Sequence, residues 1–280
     1  MNAEKKPKKS QVGVELVRVL ASEGDRIFST ERARELGPRV GLSDAYVVEA
    51  LYHLRKSGWI VSLRRGLYAI SPTVPGVTPA HEFEIAVALV DPAAISHWSA
   101  LHYHGMTGQA PRRVFVLTTT ATSAPRVRGT QSKGSSSRGY PIGETTYQFI
   151  QVKPERFFGT GRAWIGESRV AITDPERTLL DGLSRPQYCG DFAEVLHAFE
   201  VWGDHLRLEQ IIDYAQRLDT AVSKRLGWVL ENQGMDTECL GLLEKLPIKG
   251  YRKLDPTGPR KGPLDRRWMI QENLPGKLQL

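Results

Sequence analysis

The stretch LRKSGWIVSLRRGLYAI, residues 54–70, decides the fold that the sequence predicts. Apolar residues alternate with other residues on both sides of Arg64, Arg65 and Gly66, which is typical of two short strands joined by a tight turn. One side of such a ribbon packs on a neighbouring element. Its turn carries two arginines and therefore suits contact with phosphate groups, although a charged turn that only keeps the hairpin solvated is the alternative.

Three helical segments precede this hairpin. Residues 12–21 repeat apolar side chains at helical spacing, and residues 28–37 combine a serine–threonine cap with a glycine stop. The third segment, SDAYVVEALYHLRKSG at 43–58, has a cap at Ser43 and ends at Gly58. Helix, helix, turn, helix and hairpin, in this order, predict a winged helix-turn-helix whose third helix enters a DNA groove and whose hairpin is the wing.

The third helix carries most of the candidate DNA-binding residues. Its predicted apolar face consists of Val47, Val48, Leu51 and Leu54. Polar side chains near its start are expected to approach base edges, and basic ones near its end to contact phosphate. Asp44 and Glu49 weigh against close groove contact unless they accept from cytosine amines, and a merely solvated helix face is the alternative. The candidate DNA-binding residues are Ser43, Tyr46, Tyr52, His53, Arg55, Lys56, Arg64 and Arg65.

The charge distribution supports a polyanion partner. The chain of 280 residues has a net charge of +7. Residues 1–72 contain 13 Lys and Arg against 8 Asp and Glu, and residues 252–280 contain 7 against 3, so positive charge concentrates at the two ends. Residues 112–138 hold six basic residues and no acid. A second basic contact is one hypothesis for this segment and an unstructured solubilising loop the other. Its basic residues are Arg112, Arg113, Arg126, Arg128, Lys133 and Arg138.

Composition divides the chain into segments and predicts the α+β class. The N-terminal winged helix-turn-helix is followed by a mixed α/β domain, which begins with helical stretches that include AISHWSALHYHGM at 94–106. Strands are expected at 113–120 and 145–152, a hairpin at 162–172, and a helix start at TDPE, 173–176. The predicted segments are a disordered tail at 1–10, the DNA-binding domain at 11–71, a proline-rich linker at 72–79 and a domain at 80–280 with a basic loop at 121–141 and a basic C-terminal part.

The sequence predicts no metal, cofactor or catalytic residue. His97, His102 and His104 are spaced so that they do not share a helix face, which disfavours a metal site. Asp174 and Glu176 lie where a helix start favours acidic residues, so capping is preferred over catalysis. The chain has neither a phosphate-binding loop with its lysine nor a nucleophile elbow.

Cysteine usage and hydropathy favour a cytoplasmic protein. Cys189 and Cys239 form no paired motif, which indicates a reducing compartment. No apolar run approaches the roughly 20 residues of a membrane helix. We therefore expect no membrane contact.

Four motifs in order resemble the AbiEi antitoxin family of type IV, abortive-infection toxin–antitoxin systems. They are RRGLYAI at 64–70, AISHWSALHYHGM followed by VFVLTTT at 94–120, VAITDPERTLLDGL at 170–183 and DRRWMIQEN at 265–273. The resemblance implies a transcriptional autorepressor that binds double-stranded DNA at its own operator. It also implies an antitoxin that counteracts a co-encoded nucleotidyltransferase-like toxin through the C-terminal domain, without requiring a stable toxin complex.

Two other functions remain open at this stage. One is an enzyme acting on nucleic acid, with the winged helix as its targeting domain. The other is a winged helix that serves as a protein-interaction module, since a fold does not by itself determine function.

Overall fold

The computed structural model describes residues 9–121, 139–235 and 237–274. Its helices and separate sheets place the chain in the α+β class, as predicted. The predictions of a disordered tail and of a flexible basic loop fall almost entirely outside the described residues. The chain divides into two compact units, the first ending at Leu89 and the second beginning at Val90, and each is described by itself.

The first unit contains four helices and a three-stranded antiparallel sheet with the order β1-β3-β2. The strand β1 is missing from the sequence prediction because it is three residues long and exists only through its pairing with β3. The elements are α1 (Lys9–Ser22), β1 (Ile27–Ser29), α2 (Thr30–Leu36), a 3-10 turn (Gly37–Val40), α3 (Asp44–Lys56), β2 (Ile60–Arg64), β3 (Leu67–Ile70) and α4 (Glu82–Leu89).

The core of this unit lies between the helices and the sheet. Leu16 of α1, Leu51 of α3 and Ile60 of β2 are fully buried there. The predicted apolar face of α3 is correct except at Val48, which is 56% exposed. Each residue of a helix turns the side chain by about 100°, so the burial of Val47 points Val48 away from the core.

The helix α4 belongs to the first unit, although the second domain was expected to start at residue 80. Arg26 and Glu84 form an ion pair of 3.2 Å whose side chains are only 11% and 10% exposed. The link fastens α4 to the segment before β1, so the boundary between the units follows α4.

A six-stranded mixed sheet with the order β6-β7-β5-β4-β9-β8 forms one part of the second unit. The helix predicted at 94–106 is wrong for its first residues, since Ala94 and Ile95 form an inner strand and are completely buried. An apolar run of this length does not distinguish a buried strand from a buried helix. The elements are β4 (Ala93–Ile95), α5 (His97–Tyr103), β5 (Arg113–Thr118), β6 (Tyr140–Ile142), β7 (Thr145–Gln151), β8 (Thr160–Ile165) and β9 (Ser168–Thr173).

Helices and a small three-stranded sheet complete the second unit. The helix α9 is buried from Val222 to Leu230 and packs against Trp268, which is also fully buried. Within the described ranges, no helix is both long and apolar enough to cross a membrane. The remaining elements are α6 (Pro175–Ser184), α7 (Phe192–Trp202), α8 (Leu208–Leu218), α9 (Thr220–Asn232), α10 (Thr237–Glu244), β10 (Arg252–Lys253), β11 (Leu264–Asp265) and β12 (Ile270–Gln271).

Candidate nucleic-acid interface

The helix α3 presents one long exposed face at the surface of the first unit. Ser43 occupies the predicted N-cap position, but its hydroxyl makes no capping bond, and its carbonyl accepts from the backbone N–H of Tyr46 at 2.9 Å. At the other end the Ser57 hydroxyl donates to the His53 carbonyl at 2.7 Å, and Gly58 has a φ of +79°. A glycine suits this left-handed position because it has no Cβ.

All six candidate residues of α3 and its N-cap are exposed, and those within the helix lie on two flanks with Lys56 between them. Tyr46 and His53 lie on the side of α3 nearest the start of α1, where both line a groove with residues of α1. Tyr52 and Arg55 lie on the other side, where the Arg55 guanidinium stands 5.8 Å from the Tyr52 ring centroid. Helical spacing places Lys56 between the two. The predicted set is therefore one surface with two chemically different flanks.

The two acidic residues of α3 each face a basic partner. An Asp44 carboxylate oxygen lies 3.1 Å from Nε of Arg34 on α2, and Glu49 lies 3.8 Å from Nε2 of His53. Such exposed pairs add little stability. The Arg34 guanidinium does offset the charge of Asp44, and this weakens the sequence-based objection to contact with DNA at that residue. Arg34 was not among the predicted residues, because only the tertiary structure places α2 beside the start of α3.

The hairpin turn holds Arg64 and Arg65 at a defined position. Arg64 ends β2 opposite Leu67, Gly66 has a φ of +75°, and both arginines are exposed. The backbone N–H of Thr30 donates to the Gly66 carbonyl at 3.0 Å, which fastens the turn to the start of α2. The two guanidinium groups are thus carried on an ordered turn within the same unit as α3.

The second basic set is only partly described. Arg112 and Arg113 are exposed at the start of β5 in the second unit. The other four predicted residues, Arg126, Arg128, Lys133 and Arg138, lie outside the described residues. A second basic contact therefore stays a prediction.

The three histidines considered as metal ligands, His97, His102 and His104, do not converge. His97 is buried, and its Nδ1 lies 2.9 Å from the Ser96 hydroxyl, whereas His102 is exposed. Nε2 of His104 is bonded to the Thr173 carbonyl at 2.8 Å, and burial lowers the pKa of this imidazole. Across the part of the chain that the structure describes, no three His, Cys, Asp or Glu side chains form a group suited to a metal ion.

The pKa of His97 predicts an acid-sensitive step in stability. Burial lowers this pKa to about 4, whereas the unfolded side chain titrates near 6.5. The unfolded chain binds the extra proton first, so stability falls as the pH drops from about 6.5 through about 4, by about 3 kcal/mol in total. We expect His97→Asn, which tolerates the local φ of +50°, to reduce this loss in urea unfolding at pH 7 and pH 4.5. His102→Asn is the control, and equal pH dependence in both variants would contradict the assignment.

The paired acids at the start of α6 belong to hydrogen-bond networks. Asp174 caps α6 as predicted, accepting from the backbone N–H of Arg177 at 2.8 Å, and its other oxygen accepts from Tyr214 at 3.0 Å. Burial raises the pKa of Asp174. Burial also acts to raise the pKa of Glu176, but hydrogen bonds from Arg207 outweigh it and lower this pKa. These contacts join α6 to α8 and explain both carboxylates structurally.

Comparison with known proteins adds information on the fold alone. No family model and no curated protein matches the chain. The fold is similar to that of the RV2827C protein from Mycobacterium tuberculosis, seen in a crystal structure, with a TM-score of 0.66. The similarity covers 96% of this chain and 92% of the mycobacterial chain at 14% sequence identity. At this identity it carries no argument about activity or partners.

Proposed function

We propose that the chain is a winged-helix repressor that binds double-stranded DNA at its own operator and is also an AbiEi-type antitoxin. The observation that carries the DNA-binding half is that one compact unit carries both the exposed face of α3 and the arginine turn. The order α1-β1-α2-α3-β2-β3, with β3 paired between β1 and β2, agrees with a winged helix-turn-helix. The antitoxin half rests on the resemblance of the four sequence motifs.

The proposed binding mode assigns separate tasks to the exposed residues. In it, α3 lies in the major groove, where Tyr52 and the exposed Val48 meet base edges and a thymine methyl group is an apolar partner for the valine. Arg55, Lys56 and the two arginines of the turn contact phosphate, which contributes affinity without sequence preference.

The double variant Arg64→Ala/Arg65→Ala tests the arginine turn. We expect it to weaken binding to every duplex and to lower the slope of log K against log salt by about one to two units, because two phosphate contacts are lost. The measurement is titration of the full chain into its own upstream DNA and a scrambled duplex over a salt series. Arg18→Ala/Arg162→Ala removes the same charge from exposed positions elsewhere and should leave the slope unchanged. An unaltered slope in the first variant would disprove the wing assignment.

The same variant separates repression from antitoxin action. When a neighbouring toxin gene is expressed, both the wild-type chain and the arginine variant should restore growth, because the proposal places neutralisation in the second unit. Repression of a reporter behind the upstream DNA should be lost only in the variant. Failure of the wild-type chain to restore growth would remove the antitoxin half and leave the DNA-binding half standing.

A protein-interaction module is the second candidate. Tyr46, Val48 and Tyr52 are each more than half exposed on one helix, and such exposed apolar side chains mark contact surfaces for proteins as well as for bases. The salt series decides between them, because a protein-interaction module would show no binding to either duplex at low salt.

A further inference from the structure

A groove of about 940 Å³ runs beside α3, between this helix and the first turns of α1. Val12 and Val14 contribute to it from α1, Ala50 and Leu54 from α3, and Trp59 lies beyond the end of α3. Gly13 of α1 faces Leu54 of α3 where the two helices meet, and a Cβ there would be in van der Waals contact with Leu54 at 3.5 Å. The volume is that of a small-molecule site, and the lining is mainly apolar and aromatic, which is typical of such sites.

The polar lining of the groove indicates the charge of its ligand. Lys56 lines it and makes no ion pair among the described residues, whereas Glu49, which also lines it, faces His53 at 3.8 Å. Both charged groups therefore border an apolar lining with the aromatic rings of Tyr46 and Trp59, and of the two it is Lys56 that has no ion-pair partner among the described residues. This combination suits an amphipathic anion whose ring or acyl part packs in the groove while its carboxylate or sulfonate meets Lys56.

We propose that this groove binds an amphipathic organic anion and that its occupation weakens DNA binding. The second half rests on the proposed DNA-binding function. Lys56, His53 and Tyr46 belong both to the groove lining and to the predicted DNA-contact set. A bound anion engages Lys56 and adds negative charge beside the face that approaches phosphate, so the two ligands oppose each other through a shared element.

The first test measures binding of the fluorescent sulfonate 1-anilinonaphthalene-8-sulfonate to the full-length chain at neutral pH. We expect saturable binding that Ala50→Phe weakens about tenfold or more, because the new ring occupies the groove. Lys56→Gln, which changes an exposed side chain and leaves the core intact, should weaken it by a smaller factor. Val48→Ala, on the other flank of α3, is the matched control and should bind as the wild type does. Wild-type affinity in both Ala50→Phe and Lys56→Gln would overturn the site.

The second test measures DNA binding by mobility shift with and without saturating sulfonate. We expect the sulfonate to weaken DNA binding about tenfold in the wild type and not in Ala50→Phe. If saturating sulfonate leaves the DNA affinity of the wild-type chain unchanged, the regulatory half is overturned. If the wild-type chain does not bind DNA even without sulfonate, the result counts against the proposed function and not against the site. Sedimentation tests whether a second copy of the chain occupies the groove instead. A wild-type dimer that Ala50→Phe converts to a monomer would assign the groove to that second copy and overturn the proposed binding of an organic anion.

Discussion

Replacing Asp181 by alanine is expected to destabilise the second unit by about 3–5 kcal/mol, because it leaves a buried guanidinium without its counter-charge. Nε of Arg177 donates to Asp181 at 2.9 Å, and the two side chains are 1% and 7% exposed. The same guanidinium donates to the carbonyls of Arg156 and Phe158 at 2.8 and 3.0 Å. It also lies 4.6 Å from the centroid of the Phe158 ring. Arg177 therefore joins α6 to the segment before β8.

The measurement is calorimetric or urea-induced unfolding of the full chain. Asp213→Ala is the matched control, since it removes the acid of a second i,i+4 pair, to Arg217, whose acid is 67% exposed. That change should cost no more than about 0.5 kcal/mol. The double variant Arg177→Met/Asp181→Leu should cost about 1–3 kcal/mol less than the sum of the single changes Arg177→Met and Asp181→Leu, because neither charge is left alone. Additive costs would contradict the coupling of the pair.

Replacing Trp268 by alanine is expected to cost about 3–5 kcal/mol, since a large, fully buried side chain is lost. Its ring lies against α9 where Gly227 leaves room, and an ideal Cβ on Gly227 would stand 2.0 Å from the ring atom Cζ3. Gly227→Ala alone should therefore destabilise the chain by about 1–3 kcal/mol through overpacking. In the Trp268→Ala background the clash is absent, so the same change should become neutral or stabilising by up to about 1 kcal/mol.

The measurement is the change in unfolding free energy that Gly227→Ala causes with and without Trp268, and its sign is expected to reverse. It is read from unfolding curves of the wild type, the two single variants and the double variant. Gly241→Ala in α10 is the control, because a Cβ there meets nothing within 4 Å. It should be neutral or stabilising in both backgrounds, as expected for a helical glycine in open space. Destabilisation by Gly227→Ala in both backgrounds would show that the glycine is needed for a reason other than the indole.

Much of the fold was predictable because its signals are local. Ser29 and Asp174 cap α2 and α6 as their positions before acidic first turns suggest. The hairpin predicted at 162–172 is formed by β8 and β9, which turn at Gly166 and Glu167. The strands β1 and β4 were missed because three residues carry no period of their own and become strands only through distant partners.

The candidate interface was likewise predictable only in part. Helical spacing alone identified the exposed residues of α3 except Val48, and the arginine turn was visible as sequence. The division of α3 into two flanks was not visible, because it depends on where α1 and α2 pack. The groove beside Ala50 was likewise not visible, because its lining combines residues of α1 and α3 that lie more than thirty positions apart in the sequence.

By itself the sequence determined the α+β class, most of the helices with the caps at Ser29 and Asp174, the longer strands and hairpins, and the basic residues on α3 and in the arginine turn. These depend on side-chain periodicity and on capping within a few residues. Only the tertiary structure decided that Arg177 is paired in the interior, that Trp268 fits against a glycine, and that Tyr46 and Lys56 line a groove. The Arg177–Asp181 pair joins neighbouring turns of one helix, but its burial, the contact of Trp268 with Gly227 and the groove all depend on segments far apart in the chain. Packing and the need to pair buried charge set their approach.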